Sequence, residues 1–402
     1  MQFGLVGSEM CIRDSTSGVH GSPLGENEFE LFLENIGFSG DPFTHDSEIY
    51  SYFDEKRSND NSKYDEWKAN LESKLQSDKN FRQLWNQFNN FETSEVELEW
   101  SSDEASRVVG GKILNEYGLS NKFIIGGSAD LAASTKQVIS DNTFGSNNFG
   151  GNSIEFGIRE HAMGGIVNGL ALHSNLIPYG STFLVFSDYM RPSMRLASLM
   201  NINSLFIFTH DSIYLGEDGP THQPIEHLMS LRLIPNLDVI RPSNSMELIH
   251  SYRYALEKRE NPKAIILSRQ NMKFFDNDVS YKDFQTGAYE FMPGSDITLI
   301  ATGSELELAF EISTKLKDLS VQIISAPILN RLNEERLESL SLNQNIFTIE
   351  LGRTIGWDTY IQNIKKSFSI DSFGESAPID QLAEKFNFNA EKISDEIRNL
   401  LN

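Results

Sequence analysis

From residue 102 onward, short apolar runs rich in β-branched residues alternate with longer segments of helical periodicity. In the longer segments, apolar residues recur nearer to every 3.6 positions than to every second position. Runs that are apolar throughout suit strands buried on both faces, which requires a parallel sheet with helices on each side. The predicted strands are Lys122–Ile125, Ser204–Phe208, Leu237–Arg241 and Ala264–Ser268, and the predicted helices are Ile158–His173, Arg191–Met200 and Met246–Arg259.

The same alternation restarts after Gly294, beyond a polar stretch at Asp276–Gly287. We therefore expect an α/β fold with two successive parallel-type sheet domains, at residues 96–283 and 284–402. The predicted elements of the second domain are the strands Ile297–Ala301, Val321–Ala326 and Ile346–Glu350 and the helices Glu305–Leu319 and Glu391–Leu401.

Residues 1–95 have a different character from the rest of the chain. Residues 16–95 are polar, and weak helical spacing predicts short helices at Ser47–Lys56 and Tyr64–Leu75. Met1–Ser15 lacks the basic start, apolar stretch and cleavage site of a signal peptide. Its stretch Met10–Ser15 resembles the conceptual translation of a sequencing adapter. We expect Met1–Ser15 to be a non-native scar, and the alternative is a genuine disordered tail.

Composition limits the classes of function. The net charge of −23 argues against a nucleic-acid or acidic-membrane partner, because both bind basic surfaces. No apolar run approaches the roughly 18 residues of a membrane helix. Cys11 is the only cysteine, so the chain has no intrachain disulfide and no cysteine metal cluster, which is typical of a cytoplasmic protein. Phosphorylated substrates remain compatible, since a few cations in a pocket outweigh an acidic exterior locally.

Polar motifs follow several predicted strands, where ligands bind in open parallel sheets. Asp130 is the last residue of a Gly-Gly-Ser-Ala-Asp turn after Ile125. It either contacts a ligand or caps the following helix. His210 follows Phe208 and precedes the loop Gly216–Pro224, which holds Asp218 and His222. Its spacing matches no standard zinc arrangement, so an acid/base and hydrogen-bonding loop is favoured over a metal site.

Three further features each have a structural and a functional interpretation. Arg269 lies at the end of an apolar strand. It either forms a surface ion pair or binds a phosphate in a bidentate manner. Glu160 opens an apolar helix, where it complements the helix dipole or shares a proton with a ligand nitrogen. Aromatic residues recur at i, i+3 and i+6, namely Phe183, Phe186 and Tyr189. A stripe of this kind either packs in the core or stacks against a flat heterocycle.

Taken together, these motifs resemble those of transketolases in type, order and spacing, from about Thr16 to the end of the chain. The run Leu215–Pro224, LGEDGPTHQP, is highly specific to that family and its nearest relatives. The resemblance implies thiamine diphosphate and Mg²⁺ as cofactors. It also implies transfer of a two-carbon ketol unit from xylulose 5-phosphate to ribose 5-phosphate in the pentose phosphate pathway. A homodimer with shared active sites is expected. Residues 16–95 then correspond to a remnant of the diphosphate-binding domain plus linker, 96–283 to the pyrimidine-binding domain and 284–402 to the C-terminal domain.

The resemblance also assigns roles to individual residues. Glu160 matches the glutamate that hydrogen-bonds N1′ of the cofactor's aminopyrimidine, and His20 matches a histidine near its diphosphate. His222 matches a histidine beside the reacting oxygens, and Asp218 matches the residue that contacts a substrate hydroxyl. The remaining matches are the aromatic cofactor pocket of Phe183, Phe186 and Tyr189, an acidic residue at the dimer-level cofactor site, Asp130, and the sugar-phosphate ligands Arg107, Ser134, His210 and Arg269.

One family motif is absent. Transketolases hold Mg²⁺ with a Gly-Asp-Gly motif and a downstream Asn, and no Gly-Asp-Gly occurs in this chain. We therefore expect a truncated chain that lacks the amino-terminal half of the cofactor site, with its Mg²⁺ ligands, and is inactive in isolation. The alternatives are a ketol transferase similar to dihydroxyacetone synthase, or a non-catalytic fragment or partner subunit. Deoxyxylulose-phosphate synthase fits the order of Arg107, Ser134, His210 and Arg269 less well.

Overall fold

A computed structural model describes residues 17, 20–41, 43–90, 96, 103–139, 142–257, 260–273, 275 and 279–401. The predicted scar Met1–Ser15 lies outside the described residues. The chain divides into two compact units, Met1–Gln83 and Leu84–Asn402.

The first unit contains the helices α1 (Glu26–Asn35) and α2 (Ser47–Ser77), and α3 (Lys79–Asn89) leads into the second unit. The two short helices predicted at Ser47–Lys56 and Tyr64–Leu75 form the single 31-residue helix α2. The polar residues between them interrupt the apolar pattern, but they include no Gly or Pro that would end a helix. An ion pair between Lys56 and Asp60, at i and i+4, supports this part of α2.

The second unit begins with a six-stranded, fully parallel sheet of strand order β3-β2-β4-β5-β7-β6. The strands β1 and β8, which come before and after these six strands in the sequence, form a separate antiparallel pair. The strands are β1 (Glu104–Ala105), β2 (Ile124–Ser128), β3 (Ser153–Glu155), β4 (Ile177–Phe183), β5 (Leu205–Thr209), β6 (Asp238–Ile240), β7 (Lys263–Leu267) and β8 (Asn271–Met272). The helices are α4 (Ser106–Ser120), α5 (Ala132–Thr135), α6 (Glu160–His173), α7 (Ser187–Leu199), α8 (His227–Arg232) and α9 (Ser245–Glu257).

The central strand β4 was not among the predicted strands. Its sequence contains Pro178, Gly180 and Ser181, so it lacks the continuous apolar run that marks the other strands. All seven of its residues are nevertheless buried between β2 and β5. Gly180 favours this close packing, because a Cβ there would lie 3.0 Å from the Met163 side chain of α6, which would have to shift.

The second sheet has the strand order β13-β12-β10-β11-β9, and only β9 runs antiparallel to its neighbour. Parallel pairing places Leu299 beside both Ile323 and Phe347 in the middle of an apolar core. The strands are β9 (Tyr289–Met292), β10 (Ile297–Ala301), β11 (Val321–Ser325), β12 (Ile346–Ile349) and β13 (Ile364–Phe368). The helices are α10 (Tyr281–Gln285), α11 (Glu305–Lys315), α12 (Glu334–Leu340), α13 (Ile379–Lys385) and α14 (Ala390–Leu401). The predicted α/β fold with two successive parallel-type sheets is confirmed.

Buried ion pairs join the two sheet domains. Arg232 of α8 makes a bidentate contact with Glu350, with N–O distances of 2.7 and 2.8 Å. Arg241, which follows β6, donates to Asp211 Oδ2 at 2.7 Å and to both carboxylate oxygens of Glu305. All five side chains are at most 2% exposed. Such groups are stable only when paired, so the interface between the domains is fixed by charge as well as by apolar contact.

Among the helices of the described residues, none is both long enough and apolar enough to cross a bilayer.

Candidate active site

The carboxyl ends of β2, β4, β5 and β7 open on one edge of the first sheet. Parallel register places Phe183, at the end of β4, beside Thr209, and Thr209 beside Leu267 at the end of β7. The predicted site residues Asp130, His210 and Arg269 directly follow these strand ends. The fold therefore gathers polar side chains that are far apart in the sequence at a single edge, where ligands of such sheets bind.

Arg107, in the first turn of α4, lies at the centre of a cationic group on this edge. Its Nη1 donates to the carbonyl oxygen of Ser134 at 2.6 Å and lies 3.5 Å from His210 Nε2. Burial lowers the pKa of Arg107, the charge of Arg269 lowers it further, and Asp218 raises it. The contacts of Arg107 bring Ser134 and His210 together, and Arg269 lies within electrostatic range of both Arg107 and His210. Asp218 lies within electrostatic range of Arg107.

His210 is buried and occupies a strained backbone position, with φ of 60°. Burial lowers its pKa to about 3, and the charges of Arg107, Arg269 and His222 add to this effect. Its Nδ1 lies 2.9 Å from Thr209 Oγ1, so Nε2 is the nitrogen that faces the cationic group. The imidazole is therefore neutral near pH 7 and able to hydrogen-bond an anionic oxygen.

The predicted loop Gly216–Pro224 carries Asp218, which is exposed, and His222, which is half-buried. His222 packs edge-on against Phe186, with ring centroids 5.6 Å apart, and its Nδ1 lies 3.0 Å from Thr221 Oγ1. The same arrangement of a histidine Nδ1 beside the preceding threonine hydroxyl occurs at Thr209 and His210. Neither threonine was predicted as functional, although the repeated Thr-His dipeptide was visible in the sequence.

Phe183, Phe186 and Tyr189 form a row of rings, but no single helix produces it. Phe183 ends β4, Phe186 lies in a short 3₁₀ helix (Leu184–Phe186), and Tyr189 lies in α7. The first two rings stack at 5.7 Å with 11° between their planes, and Tyr189 is 65% exposed. Phe183 is buried, so the accessible faces for a flat ligand are those of Phe186 and Tyr189.

Glu160 and Asp130 flank this edge from two different turns. Glu160 is the first residue of α6 and is half-buried. Asp130 is exposed, has a φ of 62° and lines a cavity of about 500 Å³ together with Gly127 and Arg159. The guanidinium of Arg159 donates to the carbonyl oxygen of Phe156 at 3.0 Å. The cavity thus combines an acidic side chain, a fixed cation and glycine backbone.

Two further histidines complete the set of candidates. His20 belongs to the first compact unit, where it is exposed and its amide donates to Ser17 O at 3.1 Å. In the part of the chain that the structure describes, Asp188, Glu226 and His227 form the one group of three side chains spaced to hold a metal ion. A hydrogen bond between His227 Nε2 and Asp188 Oδ2, 3.1 Å long, accounts for this proximity without a metal.

Family models match almost the whole chain. The transketolase pyrimidine binding domain matches residues 105–274, the transketolase-like C-terminal domain matches 287–389, and the transketolase thiamine diphosphate binding domain matches 4–91. The last match overlaps residues 4–15 and does not support the expectation that the amino-terminal half of the cofactor site is missing.

Individual relatives point the same way. A transketolase of Staphylococcus aureus is 38% identical over 413 residues, which are 96% of this chain and 61% of that protein. The structure of a Pichia stipitis transketolase with sedoheptulose 7-phosphate superposes with a TM-score of 0.87 at 28% identity, over 95% of this chain and 60% of that one. A split-gene transketolase, described as an inactive β4 tetramer, aligns with a TM-score of 0.61 at 27% identity, over 74% of this chain and 98% of that one.

The first sheet, whose edge carries the aromatic row and the cationic group, lies within the match to the transketolase pyrimidine binding domain. The chain belongs to the transketolase family. It spans about three fifths of the length of the curated relatives that it matches.

Proposed function

We propose that this chain acts in the transketolase reaction, the thiamine diphosphate-dependent transfer of a two-carbon ketol unit from xylulose 5-phosphate to ribose 5-phosphate. The observation that carries the proposal is the convergence, at one sheet edge, of a cationic group with a loop that holds Asp218 and His222. A sugar phosphate needs both features, one for its dianion and one for its hydroxyls.

The phosphate is bound by Arg107, Arg269 and the neutral ring of His210. A guanidinium matches a phosphate in charge and in bidentate geometry, and Arg107 is already fixed by its bond to Ser134 O. The buried Nε of Arg107 has no hydrogen-bond partner within the described residues, which leaves a donor for an incoming oxygen. The Ser134 hydroxyl completes the clamp.

Asp218 and His222 act nearer to the reacting carbons. Asp218 accepts a hydrogen bond from a hydroxyl group of the donor sugar. His222 packs against Phe186, where it can bind or transfer a proton at a substrate oxygen. With its Nδ1 beside Thr221, the Nε2 of His222 is the nitrogen available to the substrate.

The residues present suit the aminopyrimidine of thiamine diphosphate. A half-buried carboxylate, Glu160, begins a helix, and the open faces of Phe186 and Tyr189 offer a stacking surface. Glu160 holds a proton at N1′ of the ring, Phe186 and Tyr189 orient it, and Asp130 supports the site from the adjacent cavity. When bound, the cofactor supplies the electron sink that stabilises charge on the two-carbon unit.

The diphosphate end of the cofactor belongs to the domain that the family model matches at residues 4–91. We propose that His20 lies near that end and that the cofactor is bound together with Mg²⁺.

A second copy of this chain is the proposed partner. The helices α6 and α7 carry a row of exposed apolar side chains, Ile166, Leu172, Leu196 and Leu199, which are 47–68% exposed. Apolar surface of this kind on adjoining helices is typical of protein–protein contacts. Because Glu160 lies on the same α6 helix, a homodimer through this surface would bring the two cofactor sites close to the interface.

The test is direct. The chain is assayed alone, and also joined to the part of the S. aureus relative that lies outside the match (the joined enzyme), with thiamine diphosphate and Mg²⁺ present. We expect the joined enzyme to consume xylulose 5-phosphate and ribose 5-phosphate in equal amounts. Transfer to formaldehyde in preference to ribose 5-phosphate would favour the dihydroxyacetone synthase alternative. Binding of sugar phosphates without transfer in either form would leave a non-catalytic role.

A further inference from the structure

The loop that carries Asp218 and His222 is built into the core of the other sheet domain. We call residues 211–225 the sheet-edge loop. Ile213 and Ile225, near its two ends, are 0% and 4% exposed and belong to the apolar cluster around Leu299 and Phe347 of the C-terminal domain. Its middle is different, since Glu217, Asp218, Pro220 and Thr221 are exposed. The exposed tip is held by backbone hydrogen bonds within the loop, from Gly219 N to Gly216 O and from His222 N to Gly219 O, and by the contacts described next.

A single side chain, Gln223, ties the loop to itself and to the C-terminal domain. Its Nε2 donates to the carbonyl oxygens of Ile213 at 3.2 Å, Gly216 at 3.0 Å and Glu375 at 2.9 Å. The carbonyl oxygens of Ile213 and Gly216 also accept from backbone amides within the loop, so the bond to Glu375 is the one by which buried Gln223 links the loop to the C-terminal domain.

The segment of the C-terminal domain at residues 374–376 lies directly against the loop. Ser376 Oγ donates to the carbonyl oxygen of Glu217, the residue before Asp218. A Cβ at Gly374 would lie 1.8 Å from Gln223 Oε1, and a Cβ at Gly219 would lie 3.2 Å from the Ser376 Cβ. The approach is close enough that only glycine fits at 374 without displacing Gln223.

Two more bonds hold the start of the loop. Tyr214 OH donates to the carbonyl oxygen of Phe388 at 2.7 Å. Asp211, next to His210, accepts from Arg241 Nη2, and the same guanidinium contacts Glu305 of α11. The C-terminal domain thus restrains the sheet-edge loop directly at Tyr214, Glu217 and Gln223. Asp211 is linked to that domain only through Arg241, which pairs with Glu305.

We propose that Gln223 and the segment Gly374–Ser376 are positioning residues for substrate recognition, so that the C-terminal domain holds Asp218 and His222 in place against the donor sugar. None of these groups touches the reacting atoms. The identity of the sugar rests on the proposed function, but the restraint of the loop does not.

The first test is hydrogen exchange on the full chain without substrate. Ser376→Ala removes one hydrogen bond from an exposed residue, so the fold is preserved. A lost bond of ordinary strength corresponds to about 2- to 10-fold in the local opening equilibrium. We expect amide exchange within residues 216–223 to accelerate by about that factor, while exchange in β5 is unchanged. Ser372→Ala, at an exposed residue just before this segment, is the matched control and is expected to leave the loop unaffected.

A second variant separates loop displacement from general destabilisation. Gly374→Ala forces Gln223 to move, whereas Gly294→Ala introduces a clash away from the loop, 2.1 Å from the Val321 carbonyl carbon. We expect both to destabilise the C-terminal domain but only Gly374→Ala to alter exchange at residues 216–223. Unchanged loop exchange in both Ser376→Ala and Gly374→Ala would overturn the proposal.

The functional readout uses the joined enzyme described above. Ser376→Ala should raise KM for xylulose 5-phosphate about 2- to 10-fold with kcat within about twofold, because binding contacts weaken alike in ground and transition states. An unchanged KM despite faster loop exchange would also refute the positioning role. Failure of the unsubstituted enzyme to transfer a ketol unit would instead refute the proposed function, and the exchange result would stand.

Discussion

The imidazole of His210 stacks on the phenyl ring of Phe183, with 3.6 Å between ring centroids and 26° between ring planes. Phe183 in turn stacks on Phe186, so the proposed phosphate ligand His210 and the proposed cofactor contact Phe186 share one buried aromatic partner. The contact also explains why the His210 ring is shielded from solvent, because Phe183 covers it and Arg107 lies next to it. Its electrostatic state is therefore set by the fold.

Replacement of His210 should change how stability depends on pH. Its pKa falls from an ordinary 6.5 to about 3 in the folded state, through burial first and then the charges of Arg107, Arg269 and His222. Between these values the unfolded chain binds a proton that the folded chain does not, so stability falls as the pH drops below 6.5. One such proton gives a slope of about 1.4 kcal/mol per pH unit. We expect His210→Asn to remove this slope in urea unfolding between pH 6.5 and 4.5, while the exposed His173→Asn retains it.

Arg241→Met should destabilise the chain strongly. It leaves Asp211 and Glu305 buried without their cation, and breaking one side of a buried pair costs about 3–5 kcal/mol. Arg398→Met removes the partner of Asp318 in a pair whose side chains are 38% and 63% exposed, so a loss of about 1 kcal/mol or less is expected. Equilibrium unfolding in urea compares the two, and equal losses would show that the interdomain charges are not energetically special.

Glu160→Gln should abolish cofactor activation without disturbing the fold. The amide keeps the shape of the carboxylate but cannot hold the shared proton, and loss of an acid/base group lowers rates by about 10²–10⁴-fold. Because Glu160 is only half-buried at a helix start, the melting temperature should shift little. Turnover of the joined enzyme is measured beside Glu116→Gln, an exposed change on α4, and near-normal turnover would contradict the assigned role.

Arg107→Lys should weaken binding of sugar phosphates selectively. A lysine at 107 cannot bond Ser134 O and a phosphate with the same fixed fork, so loss of a charged hydrogen bond predicts about 10- to 100-fold weaker binding of ribose 5-phosphate. Ribose itself should bind as before. Calorimetric titration checks both ligands, with Arg191→Lys on α7 as the control; equal weakening for ribose would remove Arg107 from the phosphate clamp.

The sequence was informative where apolar runs end. Asp130, His210 and Arg269 follow strands whose continuous apolar residues made those ends visible, so their convergence at one edge could be predicted. The strand β4 was missed because Pro178, Gly180 and Ser181 hide it, and its aromatic row was consequently assigned to no strand end.

Contacts between distant segments left no local signal. Gln223 and Gly374 meet only because the two domains pack together, and no periodicity relates them. Arg241 and Glu305 resemble ordinary surface charges in the sequence, although both are buried. The predicted 96–283 and 284–402 boundaries and the assigned roles of the site residues remain predictions.

The paired charges across the domain interface also limit which versions of the two domains can be recombined. Arg232 and Arg241 lie in one sheet domain, whereas their partners Glu350 and Glu305 lie in the other. A C-terminal domain recombined from an unrelated lineage would need carboxylates at both places, or it would bury two unmatched guanidinium groups. The two domains are therefore compatible only as a co-adapted pair, and viable chimaeras should keep all four residues from a common parent or exchange them together.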